Sequence, residues 1–152
     1  MKKMILSLML LVNMVSMSWT ITEGKDEFGD NNGQKIATQN MGGYRDGIFR
    51  LQKDGKALEF YIVLRDYIGD VDNNKVKFKV DNNNPISLNI TSDSQDGTAL
   101  WIANTNQKSK FDALINQMKQ GKILKISING YFYDFTRKVD LKGFSEALEI
   151  VK

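Results

Sequence analysis

The dipeptides Asp54-Gly55 and Asn129-Gly130 constrain this chain most, because each lies between segments in which apolar and polar residues alternate. Two-residue turns of this composition close antiparallel hairpins. A turn at Asp54-Gly55 is expected to set Phe49 opposite Phe60 and Leu51 opposite Leu58, with Arg50 against Glu59 on the reverse face. A turn at Asn129-Gly130 is expected to set Ile126 opposite Tyr133 and Leu124 opposite Phe135, with Lys125 against Asp134. In both, apolar side chains meet on one face and unlike charges on the other, as a half-buried sheet requires.

Between the hairpins, Val76, Phe78 and Val80 alternate with Lys75, Lys77 and Lys79, and Ile86, Leu88 and Ile90 alternate with Ser87 and Asn89. Both runs predict strands, separated by the turn Asp81-Asn82-Asn83-Asn84-Pro85. Ala99 to Ala103 predicts a further strand, and Trp19 to Glu23 and Lys35 to Gln39 are weaker candidates. Helical spacing takes over at Phe111, Leu114, Ile115 and Met118, in a segment that begins near Ser109, with Asp112 as an imperfect capping box, and stops at Gly121. It returns at Phe144, Ala147, Leu148 and Val151. The expected fold is mainly β within the α+β class: an antiparallel sandwich or partly closed barrel with one inserted helix and one C-terminal helix.

Lys2 and Lys3 precede an apolar run from Met4 to Val15 that ends in the small residues Ser16 and Ser18. This pattern predicts a secretory signal peptide over 1–18, cut between Ser18 and Trp19; the run is short for a retained anchor, and Asn13 interrupts it. Removing 18 residues from 152 leaves 134, the size of a single domain over 19–152. The leader takes two of the 21 basic residues, so 19 face 18 acidic ones and the balance falls from +3 to +1. A nucleic-acid or anionic-membrane reading loses its main support from net charge. Cysteine and histidine are both absent, which excludes disulfides, a lipoprotein thioether, thiolate or imidazole zinc sites and Ser-His or Cys-His nucleophiles.

Few residues suggest chemistry. Asp70, Asp72, Asn73 and Asn74, with Asp81 beyond, carry oxygen atoms at calcium-loop spacing, but Lys75 stands where such a loop needs glycine. The segment Asp70-Asn74 therefore reads as a solvated turn, with calcium as the alternative. Asp26, Glu27 and Asp30 read as a surface loop. The lysine stripe reads as an outward edge that blocks strand addition, with an acidic partner as the alternative. Trp101, Tyr131 and Tyr133 are aromatic enough for a binding groove but stand where a β core wants bulk; Tyr133 is expected in the core with its hydroxyl satisfied locally, and Trp101 stands open between core and groove. No residue is nominated as catalytic, cofactor-binding, metal-binding or partner-binding, and no cofactor is expected.

Three stretches carry a resemblance: Trp19-Thr20-Ile21 leading to the acidic Lys25–Asp30 segment, Trp101-Ile102 before the helix and the strand Ile123 to Ile128, and Val139-Asp140-Leu141-Lys142-Gly143-Phe144 before Ala147-Leu148. Together they resemble small exported bacterial proteins of the invasion-associated locus B family and the type VI secretion accessory proteins of the VasI kind. The resemblance implies a periplasmic or secreted β-sandwich and supplies no catalytic residues. The function expected is that of a non-enzymatic accessory or binding module, exported to the periplasm or medium, acting on a protein partner or cell-envelope component. The alternative is a carboxylate-based hydrolase of an envelope glycan or polymer.

Overall fold

In a computed structural model, which describes residues 19–25, 28–42, 47–65, 67–94, 97–132 and 134–152, the alternating segments become two antiparallel sheets. The expected leader, with Ser16 and Ser18, lies outside the described residues, as do Asp26, Glu27 and Tyr133. In chain order the elements are β1 (Thr20–Lys25), β2 (Asn31–Met41), β3 (Gly47–Asp54), β4 (Ala57–Val63), β5 (Lys75–Val80), β6 (Ile86–Asn89), β7 (Ser92–Asp93), β8 (Ala99–Ala103), α1 (Lys108–Gln120), β9 (Ile123–Asn129), β10 (Asp134–Asp140) and α2 (Phe144–Val151). The first sheet has the order β1-β2-β3-β4-β8-β7 and the second β10-β9-β5-β6. The fold is thus a sandwich with helices and not a closed barrel. At one corner β2 reaches towards β10, where Gly42 bridges Lys138 and the Gln39 side-chain amide donates to the Asp140 carbonyl at 3.4 Å.

Six rings run through the core. Trp19 lies 6.0 Å from Phe49 and 5.5 Å from Phe144, Phe49 lies 5.1 Å from Phe60, and Phe60 touches Phe78 at 5.8 Å and Phe111 at 4.5 Å. All six are buried, so one aromatic chain ties the first sheet to the second and to both helices. Each helix buries the four residues that helical spacing marks. The capping box, however, does not form. Helix α1 starts at Lys108, which puts Asp112 beyond the free N–H groups of the first turn, and its carboxylate pairs with Lys108 instead.

Both hairpins form in a different register from the one the turns suggest. In the first, Leu51 pairs with Phe60 and Gln52 with Glu59, because the positive φ falls on Gly55 and the loop is Gly55-Lys56, leaving Asp54 in the strand. In the second, Ile128 pairs with Phe135 and Lys125 with Lys138, around a loop of four residues, 130–133. Both displacements are by an even number of residues, so every apolar side chain keeps its face.

The displaced register sets Glu59 beside Gln52, whose side-chain amide donates to its carboxylate. Burial raises the Glu59 pKa above the usual carboxylate range, the Gln52 bond opposes this, and nearby Asp54 reinforces it. A raised native pKa means that the folded state holds the proton more tightly. The stability contribution is complete below the unfolded pKa and is lost as pH rises through the folded one. Glu59→Gln, which keeps the shape without the charge, should therefore melt above wild type by a margin that widens as pH rises from 4 towards 7. A margin independent of pH in thermal scans would contradict this.

Candidate functional site

Two loops that are distant in sequence meet at one end of the sandwich. The segment after β4 is anchored by buried Leu64 and Ile68, and between them the chain turns Tyr67 outward. The β9–β10 loop lies along it: the Tyr131 N–H donates to the Asp70 carbonyl at 2.8 Å and the Phe132 N–H to the Ile68 carbonyl at 3.1 Å. Val71 and Gly130 form an isolated bridge beside them. This pairing accounts for the long loop, since residues 130–132 use their backbone groups on the neighbouring segment instead of closing a tight turn.

Close approach at this point depends on Gly69. Its φ is +78°, and a Cβ there would lie 2.8 Å from the Phe132 ring and 2.9 Å from the Tyr131 Cβ. Only glycine fits. The result is an exposed aromatic cluster: Phe132 lies 5.7 Å from Tyr67 and 5.2 Å, edge-on, from Tyr131. Tyr131 is 80% exposed, Phe132 63% and Tyr67 53%. A single exposed ring is ordinary, whereas three in contact, two of them on pinned backbone, form a contiguous apolar patch of the kind that marks a binding surface.

Beside the cluster opens a cleft of about 530 Å³ lined by Asp70, Val71, Asp72, Asn73, Asn129, Gly130, Tyr131 and Asp134. Sequence reasoning separates the Asp70-Asn74 turn from Tyr131; the structure joins them. Of the calcium-loop residues, Asp70, Asp72 and Asn73 share this cleft, whereas Asn74 and Asp81 are engaged elsewhere. Asn73 and Asn74 take left-handed conformations (φ 53° and 51°), and the Asn74 side-chain amide donates to the Ile90 carbonyl at 3.2 Å. Asp81 lies at the far end of β5, where its carboxylate accepts the Lys122 and Ile123 N–H groups at 2.9 and 3.0 Å. The acid–base alternative calls for a carboxyl of raised pKa in a cleft. Glu59 has the raised pKa and does not line this one.

The remaining candidates lie elsewhere. Asp30 is exposed just before β2. Trp101 sits half-buried on the outer face of the first sheet, opposite Tyr61, with ring centroids 4.7 Å apart. The Arg50 guanidinium lies 5.4 Å from the Tyr61 ring, so these three side chains form a cross-strand ladder. Lys75, Lys77 and Lys79 all point outward from β5, but β5 runs between β6 and β9 and is not an edge strand. The expectation that they block strand addition is therefore corrected. Tyr67 and Phe132 were not singled out in the sequence, where their only signal is bulk in segments that lack alternation.

No family model matches the chain, and no curated protein does. Among solved structures, the fold is similar to that of invasion associated protein B from Bartonella henselae, with a TM-score of 0.60 over 88% of this chain and 90% of that one. Identity between the two is 17%, so the likeness is one of fold, and at that level it agrees with the resemblance read from the sequence.

Proposed function

We propose that this protein is an exported, non-enzymatic accessory module that binds a protein partner or cell-envelope component through the end formed by Tyr67, Tyr131 and Phe132. The observation that carries the reading is the exposure of three touching rings, two of them, Tyr131 and Phe132, on backbone held by hydrogen bonds. Rigid aromatic side chains bind at little cost in conformational entropy, and such residues dominate interface energetics. Asp70, Asp72 and Asp134 form an acidic polar rim to the patch, which suits a partner segment combining an apolar anchor with a basic group. Export rests on the N-terminal pattern of charge, apolar run and small residues. The invasion-associated protein of similar fold is consistent with an accessory role.

Recovery from envelope extract tests the proposal. Immobilised protein at mild salt is expected to retain a defined component that a Phe132→Ser column does not. Repeated recovery of the protein alone would contradict it. Turnover of an envelope glycan that disappears in Asp134→Asn, with folding intact, would replace the binding reading with the hydrolase one.

A further inference from the structure

The outer face of the second sheet carries Lys75, Lys77 and Lys79 on β5, Lys125 on β9 and Lys138 on β10. Lys125 is directly opposite Lys79 on one side and Lys138 on the other. Three ammonium groups thus stand in a row across three neighbouring strands, on Cα atoms about 5 Å apart. None of the five lysines is in an ion pair among the described residues. Like charges in directly opposed register weaken a sheet. Protection of an edge does not account for β5 or β9, since both are interior strands.

Asp72 and Asp134 lie at one end of this face, and Asp81 and Asp140 at the other. The Asp81 carboxylate already accepts two backbone N–H groups, and the Asp140 carboxylate accepts one from Lys142. The middle of the face is left to lysine, Ser87, Ser127 and Thr136. A near-neutral total charge does not decide what such a face attracts, because fields act over about a Debye length, ~8 Å at physiological salt.

We propose that this face docks flat on an anionic bilayer surface, its lysines over the headgroup phosphates. The surface is that of a four-stranded sheet, with one shallow recess of about 150 Å³ at the Asp72 end. It carries no aromatic side chain on which a nucleic-acid base could stack, and no arginine fork to grip a single carboxylate or phosphate. Lysine point charges spread over a plane suit a planar layer of negative charge. The one apolar side chain on the face, Ile123, is 39% exposed at its border, where it could enter the headgroup layer.

Cosedimentation of the full chain with vesicles of 30% phosphatidylglycerol in phosphatidylcholine, against phosphatidylcholine alone, tests this. The N-terminal run, with Lys2 and Lys3 before it, would itself favour the anionic vesicles, but it is identical in wild type and in the variant below, so the deciding reading is the difference between those two proteins on the anionic vesicles. Preferential binding to the anionic vesicles, suppressed at 0.5 M salt, is expected. Combining Lys79→Gln, Lys125→Gln and Lys138→Gln should weaken it about 100-fold, roughly fivefold for each charge. The melting temperature of that variant should equal or exceed that of wild type, because opposed like charges are removed. Equal binding to both vesicles, or anionic binding that the triple substitution leaves intact, would overturn the proposal. So would lysine-dependent binding to soluble polyphosphate or to an acidic peptide in the absence of any preference for the anionic vesicles.

Discussion

Phe60→Ala is expected to destabilise the fold by about 3–5 kcal/mol, a large part of the ~5–15 kcal/mol that holds a domain of this size. Phe60 is fully buried and meets Phe49 in its own sheet, Phe78 in the opposite sheet and Phe111 on α1. The resulting cavity lies where three layers meet, so no single neighbour can close it without leaving another contact. Thermal unfolding should show a midpoint lower by more than about 10 °C. A fall worth less than about 1 kcal/mol would mean that the rings do not form the continuous core described above.

The second large effect is expected where burial is least. Replacing Tyr131 and Phe132 together by serine should leave stability within about 0.5 kcal/mol of wild type, since exposed side chains away from caps and cores contribute little. Their backbone bonds to Asp70 and Ile68 survive the substitution. Affinity for the partner, however, should fall at least about 30-fold, because truncating a central aromatic anchor typically costs 2 kcal/mol or more. Titration of the recovered partner against both proteins, with melting curves alongside, separates the two effects. Equal affinities would remove the aromatic end from the account.

The two predictions differ in how far they could be read from the sequence. Periodicity can be read directly, so alternating β5 and β6 and the helically spaced buried faces of both helices appear in the residue pattern, and β8 appears as a short apolar run. Register does not. A hairpin displaced by two or four residues keeps its apolar side chains on the same face, and the pattern of Leu124, Ile126 and Ile128 is equally satisfied by a two-residue or a four-residue loop. What selects the longer loop is pairing of Tyr131 and Phe132 with Asp70 and Ile68, about 60 residues earlier in the chain. The aromatic cluster was hidden for the same reason: Tyr67 and Phe132 become neighbours only through that pairing. Strand order was hidden too, since nothing in Lys75–Val80 says whether it lies at an edge or between β6 and β9.

A photo-reactive phenylalanine analogue placed at position 132 tests most directly the claim that this end is the working surface. Irradiation of producing cells should yield a discrete adduct from position 132 and none when the analogue stands at Lys56, in the β3–β4 turn. Adducts from position 56 with none from position 132 would contradict the account.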